Sequence, residues 1–125
     1  MYFLKCKHCG KVVMLFDKKE IPTICCGEPM VELVANTEEA AFEKHVPVIE
    51  EKGNEVIVKV GEVAHPMLPE HFIEFIVLHT DQGYKLKHLK PGDAPAASFA
   101  ILDNEIVFSA YASCNLHGLW KKVSE

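Results

Sequence analysis

The apolar and polar positions in the body of the chain fall into a period of two. Val56, Val58 and Val60 alternate with Ile57 and Lys59. A longer run sets His71, Ile73, Phe75, Val77 and His79 on one face and Phe72, Glu74, Ile76 and Leu78 on the other. That period belongs to strands, whose successive side chains point to opposite faces. Two further β-rich runs, residues 97–102 and 106–112, are separated by the turn Asp103-Asn104. With Gly53, Gly61, Gly83 and Pro91-Gly92 as punctuation, the pattern predicts an all-β body, an antiparallel β-sandwich of the immunoglobulin-like kind. No internal repeat and no long amphipathic helix interrupts it.

The first 36 residues read differently. Short strands and turns are expected there, with turn signals at Gly10, Pro22 and Gly27-Glu28-Pro29. Large apolar residues are too few to build a core, and a unit of this size needs a metal, a disulfide or a partner chain to be stable. Two domains are therefore expected, a small module over residues 1–36 and a sandwich over residues 37–125. Between them, residues 36–42 read as a linker or a short helical turn that delivers the chain to Glu43-Lys44-His45-Val46-Pro47.

Composition narrows the partners. The chain has 125 residues and a net charge of -5. All 13 of its basic residues are lysine, so bidentate arginine contacts to guanine or phosphate are unavailable, and no basic stripe is evident. Nucleic acid is not an expected partner. No stretch approaches the roughly 20 apolar residues of a membrane span, and the first residues lack a signal-peptide pattern. A soluble, cytoplasmic protein is expected, in a compartment where thiols stay reduced.

The cysteines carry the first candidate chemistry. Four of the five lie early, as Cys6-Lys7-His8-Cys9-Gly10 and the adjacent pair Cys25-Cys26, while Cys114 stands alone near the far end. An odd, clustered count argues against a disulfide framework and for separate metal sites. Cys-x-x-Cys supplies two sulfurs from one tight turn, and Gly10 allows the positive φ such turns use. The pair Cys25-Cys26 can bind one metal only if the backbone bends there, because neighbouring strand side chains point apart. A vicinal disulfide is the competing reading, but adjacent Cα atoms lie about 3.8 Å apart, shorter than the roughly 4.4 to 6.8 Å that a relaxed bridge prefers. Iron and zinc both suit four sulfurs. His8 reads as an exposed loop residue.

Seven histidines form the second signal. His45, His65, His71 and His117 each stand at a loop or element edge, where ligands from different strands can converge, and His117 follows Cys114 by three. His79 and His88 lack such a setting and read as structural or solvent-facing. Copper is disfavoured, since Gly118-Leu119-Trp120 offers no axial methionine after His117. Gly10 in place of histidine after Cys9 excludes the haem-attachment pattern.

In this order the motifs resemble a known family over essentially the whole chain. Cys6-x-x-Cys9 with Cys25-Cys26 is similar to the desulforedoxin module. Glu43-Lys44-His45-Val46-Pro47, His65-Pro66-Met67 through His71, and Cys114-Asn115-Leu116-His117-Gly118-Leu119-Trp120 are similar to the superoxide reductase domain. Together they resemble desulfoferrodoxin, the two-iron superoxide reductase family.

The resemblance implies two iron ions per chain. Cys6, Cys9, Cys25 and Cys26 would hold a rubredoxin-like iron; His45, His65, His71 and His117 would ligate a catalytic iron equatorially, with Cys114 as axial thiolate. Lys44 would be the cation beside an open sixth position and Glu43 the carboxylate that can close it. It also implies one-electron reduction of superoxide to hydrogen peroxide without oxygen, electrons from an external donor such as rubredoxin, and a homodimer. The competing classes are a non-catalytic two-iron electron-transfer protein and a zinc-stabilised binding module. A pure electron carrier has no use for an open site flanked by Glu43-Lys44.

Overall fold

In a computed structural model describing residues 1–124, the chain divides into two compact units, Met1–Val34 and Ala35–Glu125. The described residues are almost all strand and turn. Their one helix is a single turn, α1 (Phe42–His45), and no helix is long and apolar enough to cross a membrane.

The first unit holds five short strands: β1 (Tyr2–Lys5), β2 (Val12–Leu15), β3 (Ile24–Cys25), β4 (Glu28–Pro29) and β5 (Val31–Glu32). β1 lies between β2 and β5, antiparallel to both, and β3 pairs with β4 as a separate hairpin. Glu28-Pro29, expected as part of a turn, is instead the return strand. The turn itself is Cys26-Gly27, with φ of 52° and 77°. Positive φ at both central residues matches the right-handed twist of a two-residue hairpin.

The second unit is a sandwich of seven antiparallel strands. β6 (Pro47–Lys52), β7 (Glu55–Val60) and β10 (Ala96–Ala100) form one sheet in the order β10-β7-β6. β8 (Ile73–Thr80), β9 (Gly83–His88), β11 (Val107–Cys114) and β12 (Gly118–Val123) form the other in the order β12-β11-β8-β9. Val56, Val58 and Val60 from the first sheet meet Ile73, Ile76, Leu78, Ala110 and Ala112 from the second in one core cluster. The alternation predicted for β7 is seen in full, with its three valines buried.

The long run around β8 departs from strict alternation. Against β11 the register steps from Ser113↔Phe75 to Cys114↔Ile73, so Glu74 is an extra residue, a β-bulge. One inserted residue reverses which side chains share a face, and this brings Ile73 into the core with Ile76 and Leu78. His71 lies outside the strand, in an isolated bridge with Leu68.

Candidate functional site: two metal clusters

The small unit gathers its four cysteines at one point. Cys6 directly follows β1 and Cys9 closes the turn after it, held by Gly10 N–H to the Cys6 carbonyl at 3.0 Å and Cys9 N–H to Cys6 Sγ at 3.4 Å. Cys25 is the last residue of β3, and Cys26 is the first of the left-handed turn. The chain reverses between the adjacent cysteines, which is the bend their shared use of one metal demands. The four sulfurs lie within 4.8 Å of one another, and Cys9 and Cys25 approach to 3.6 Å. An S···S edge of that length belongs to a tetrahedron whose centre is about 2.2 Å from each sulfur, near the metal–thiolate bond.

The electrostatics agree with a cation at the centre. The Cys9 N–H aimed at its sulfur lowers the Cys6 thiol to about 6. The sulfurs of Cys6 and Cys9 crowd the other pair, pushing Cys25 up to about 12 and Cys26 upward. Negative charges so packed resist forming together unless a metal neutralises them. None of the five cysteines is joined in a disulfide, the vicinal pair included. His8 is exposed and pairs with Glu28 at 3.0 Å.

The second cluster stands at one end of the sandwich, where Pro47 pairs with Val60, and Cys114 pairs with both Ile73 and Gly118. His45 ends α1; His65 and His71 lie on the connection from β7 to β8. Cys114 is the last residue of β11, and His117 sits in the three-residue loop to β12, closed by Gly118 at φ 76°. Three separate chain segments therefore deliver the side chains.

Their rings make a pinwheel. Centroids of neighbouring rings are 4.6 Å apart for His45 and His65, 4.7 Å for His65 and His71, 5.1 Å for His71 and His117, and 5.0 Å for His117 and His45. Each neighbouring pair is nearly perpendicular, whereas His45 and His71 face each other across the diagonal at 6.4 Å and 28°. Inside the pinwheel, His45 Nε2 lies 3.2 Å from His65 Nε2 and 3.1 Å from His117 Nδ1. A square with such edges has its centre about 2.2 Å from each nitrogen, close to a metal–imidazole bond. Cys114 Sγ is 3.9 Å from His117 Nδ1 and within 4.8 Å of the ligand nitrogens of His45, His65 and His71.

Protons are held on the outside of this ring. His45 Nδ1–H donates to the Ala41 carbonyl and His65 Nδ1–H to the Pro66 carbonyl, each at 2.7 Å. That tautomer leaves each Nε2 lone pair facing the centre. His71 Nε2 is buried with no hydrogen-bond partner, an expensive state for a polar atom unless a metal completes it. Burial lowers the basicity of His45, His65 and His71, His65 to about 4, so the imidazoles are neutral and free to ligate at pH 7. The donor set fits a metal: inward lone pairs, one buried sulfur and no proton to fill the gap.

Glu43 and Lys44 lie exposed on α1. The Lys44 charge is felt at the ring, since it depresses the basicity of both His45 and His71. His79 and His88 are outside the cluster; His79 stacks on Tyr84 at 4.3 Å.

Two further residues, given no role at the site by the sequence, belong to it. Trp120 is fully buried, lies 5.0 Å from the His45 ring and donates its indole N–H to the His117 carbonyl at 2.9 Å. Being the chain's only tryptophan, three residues after His117, it carried a weak signal. Gly61 carried less. A Cβ there would stand 2.7 Å from the Glu43 carbonyl oxygen and 2.5 Å from that of Val63, so only glycine lets the Glu43-Lys44 backbone seat against the end of β7.

The fold and clusters define a class: an all-β protein with two clusters of metal-ligand side chains, one of four cysteines and one of four histidines and a cysteine. The family model described as desulfoferrodoxin matches residues 37–123, and the chain belongs to that family. It is 46% identical to a desulfoferrodoxin homolog of Archaeoglobus fulgidus over 97% of this chain and 95% of that one. It is 49% identical to the desulfoferrodoxin of Nitratidesulfovibrio vulgaris, over 94% of this chain and 91% of that one. Among solved structures, the superoxide reductase of Treponema pallidum superposes with a TM-score of 0.80 at 40% identity, covering 95% of this chain and 98% of that one.

Proposed function

We propose that the chain is a superoxide reductase holding iron in both clusters, with Cys6, Cys9, Cys25 and Cys26 as ligands in the small unit and His45, His65, His71, His117 and Cys114 in the sandwich. The observation that carries this reading is the ring of inward-facing imidazole nitrogens, backed by one buried cysteine, with a lysine charge beside it. Relatives from Thermococcus kodakarensis and Treponema pallidum support the substrate: both are superoxide reductases.

Ferrous iron in the sandwich site would supply one electron to superoxide, which with two protons becomes hydrogen peroxide. The chain's own residues set the conditions. Four neutral imidazoles and one thiolate leave a net positive charge on a divalent ion, and Lys44 adds to the attraction for an anion even on an acidic protein. The Cys114 thiolate would push electron density toward a metal held there, the lever also used in haem–thiolate proteins. Lys44, on the exposed helical turn, orients a proton-delivering water, and Glu43 closes the site between turnovers.

The electron returns from an external donor such as rubredoxin, and the cytoplasm is the compartment that keeps the five thiols available. Self-association as a homodimer is supported by the small unit's exposed apolar side chains, Phe16 and Ile21 foremost at 83% exposure each.

The test is stoichiometric. Iron-loaded protein with reductant should yield one peroxide per superoxide and no oxygen; one oxygen per two superoxides, or zinc in both sites of the native protein, would refute the proposal. Cys114→Ser should abolish both activity and the thiolate-to-iron absorption of the sandwich centre while the four-cysteine spectrum persists.

A further inference from the structure

We propose that Asn115 is the positioning residue that holds His71 in register with Cys114 and His117. The inference rests on the assignment of His71 as a metal ligand made above. Asn115 follows Cys114 directly and reaches across to the connection between β7 and β8. Its Oδ1 accepts the Phe72 N–H at 3.0 Å, its Nδ2 donates to the Glu70 carbonyl at 3.1 Å, and its own N–H donates to the Phe72 carbonyl at 3.2 Å. These bonds bracket His71 on both sides. The amide orientation is fixed by chemistry, because a backbone N–H only donates and a carbonyl only accepts.

His71 needs such a device more than its neighbours do. His45 and His65 are oriented by their Nδ1–H bonds to Ala41 and Pro66; His71 has no corresponding bond among the described residues. It lies outside β8, and its backbone bonds, to and from Leu68 at 3.0 and 2.9 Å, stay within its own loop. The Asn115 clip ties that loop to the segment carrying the cysteine and the fourth histidine. Groups outside the ligand set that orient ligands commonly change metal affinity by about 10- to 100-fold when removed.

The experiment uses full-length protein with iron in both centres. Asn115→Ala, Asn115→Asp, His71→Ala and Asn54→Ala are compared by the rate of iron loss to a chelator and by the electron paramagnetic resonance of the ferric sandwich centre. The four-cysteine iron of the same molecule is the internal reference. Asn54 is the control because its Nδ2 bonds Ile101 and Asp103 at the opposite end of β7, far from any ligand.

Asn115→Ala should release the sandwich iron about tenfold faster or more and alter its resonance, with the four-cysteine spectrum unchanged. Asn115→Asp keeps the acceptor for Phe72 and loses the donor to Glu70, so it should fall between; it decides by the same criteria if the alanine variant does not fold. Wild-type release and resonance in the Asn115 variants, or equal acceleration in Asn54→Ala, would overturn the inference. If His71→Ala also leaves release and resonance unchanged, the ligand assignment is what fails; if His71→Ala disrupts the centre and the Asn115 variants do not, only the clip fails.

Discussion

In the unit Met1–Val34 only Phe3 and Cys6 are buried, and Met14, Phe16, Ile21, Ile24, Val31 and Val34 are left exposed. In the unit that follows, both sheets contribute to a continuous core from Val56 to Cys114. The small unit thus has no apolar core behind its sulfur cluster, of which Cys6 alone is buried, while the histidine cluster is mounted at the edge of a core that exists without it. A metal in the first place would be a folding element; in the second it would be a guest on a finished scaffold. Cys114 belongs to both descriptions, being a member of the core and of the site.

Metal removal tests this contrast most severely. Structural tetrahedral sites in small domains contribute on the order of 10 kcal/mol to folding, so stripping both metals should abolish hydrogen-exchange protection in β1 to β5 and preserve it in β7, β8 and β11. Equal loss in both units would show that the sandwich also depends on its metal, and the distinction would fall.

The converse comes next. Ile76 is fully buried in the sandwich core, and Ile76→Ala should cost the sandwich about 2–5 kcal/mol through lost burial and a residual cavity. Denaturant unfolding should show the loss, while the visible spectrum of the four-cysteine centre, read below the transition, stays as it was. A matching change in that spectrum would mean the units do not fold independently.

Lys44→Ala probes the difference between a closed and an open site. Steering by an exposed charge acts on the association rate and fades with salt. The variant should react with superoxide about tenfold more slowly at low ionic strength and approach the wild-type rate at high ionic strength. A loss that ignores salt would place Lys44's contribution in proton delivery. The four-cysteine centre, saturated with ligands, should be indifferent either way.

The two regions were not equally legible in the sequence. The cysteine and histidine sets were visible because metal-ligand chemistry restricts residue type and local spacing, and β7 was visible because its alternation is unbroken. The Glu74 bulge was hidden: the residues around it keep alternating on paper, and only pairing with β11 shows that one of them is extra. Glu28-Pro29 was expected in a turn on the strength of proline, yet the turn belongs to Cys26-Gly27, where the metal cluster and the hairpin both require the reversal. Gly61 and Asn115 act through segments distant in the chain, on Glu43 and on Glu70 and Phe72. A single sequence has no local mark for such contacts.

The smallest expected effect concerns a latch owned by the sandwich alone. Glu105 is buried, accepting the Thr80 hydroxyl at 2.5 Å and the Leu102 N–H at 2.9 Å, with Lys85 3.9 Å away. Hydrogen bonding from Thr80, then from the Leu102 backbone, holds its carboxyl below the ordinary value of 4.5. Between its folded and unfolded values the unfolded chain binds more protons, so this contribution is whole above pH 4.5 and is lost as pH falls through the folded value. The sandwich's thermal midpoint should therefore decline across that acid window in wild type and less steeply in Glu105→Gln, whose amide does not titrate. Because thiolate ligands are also protonated in acid, the measurement belongs on the metal-free chain. An equally steep decline in both proteins would assign the acid sensitivity to other carboxylates and leave the Thr80–Glu105 contact a neutral one.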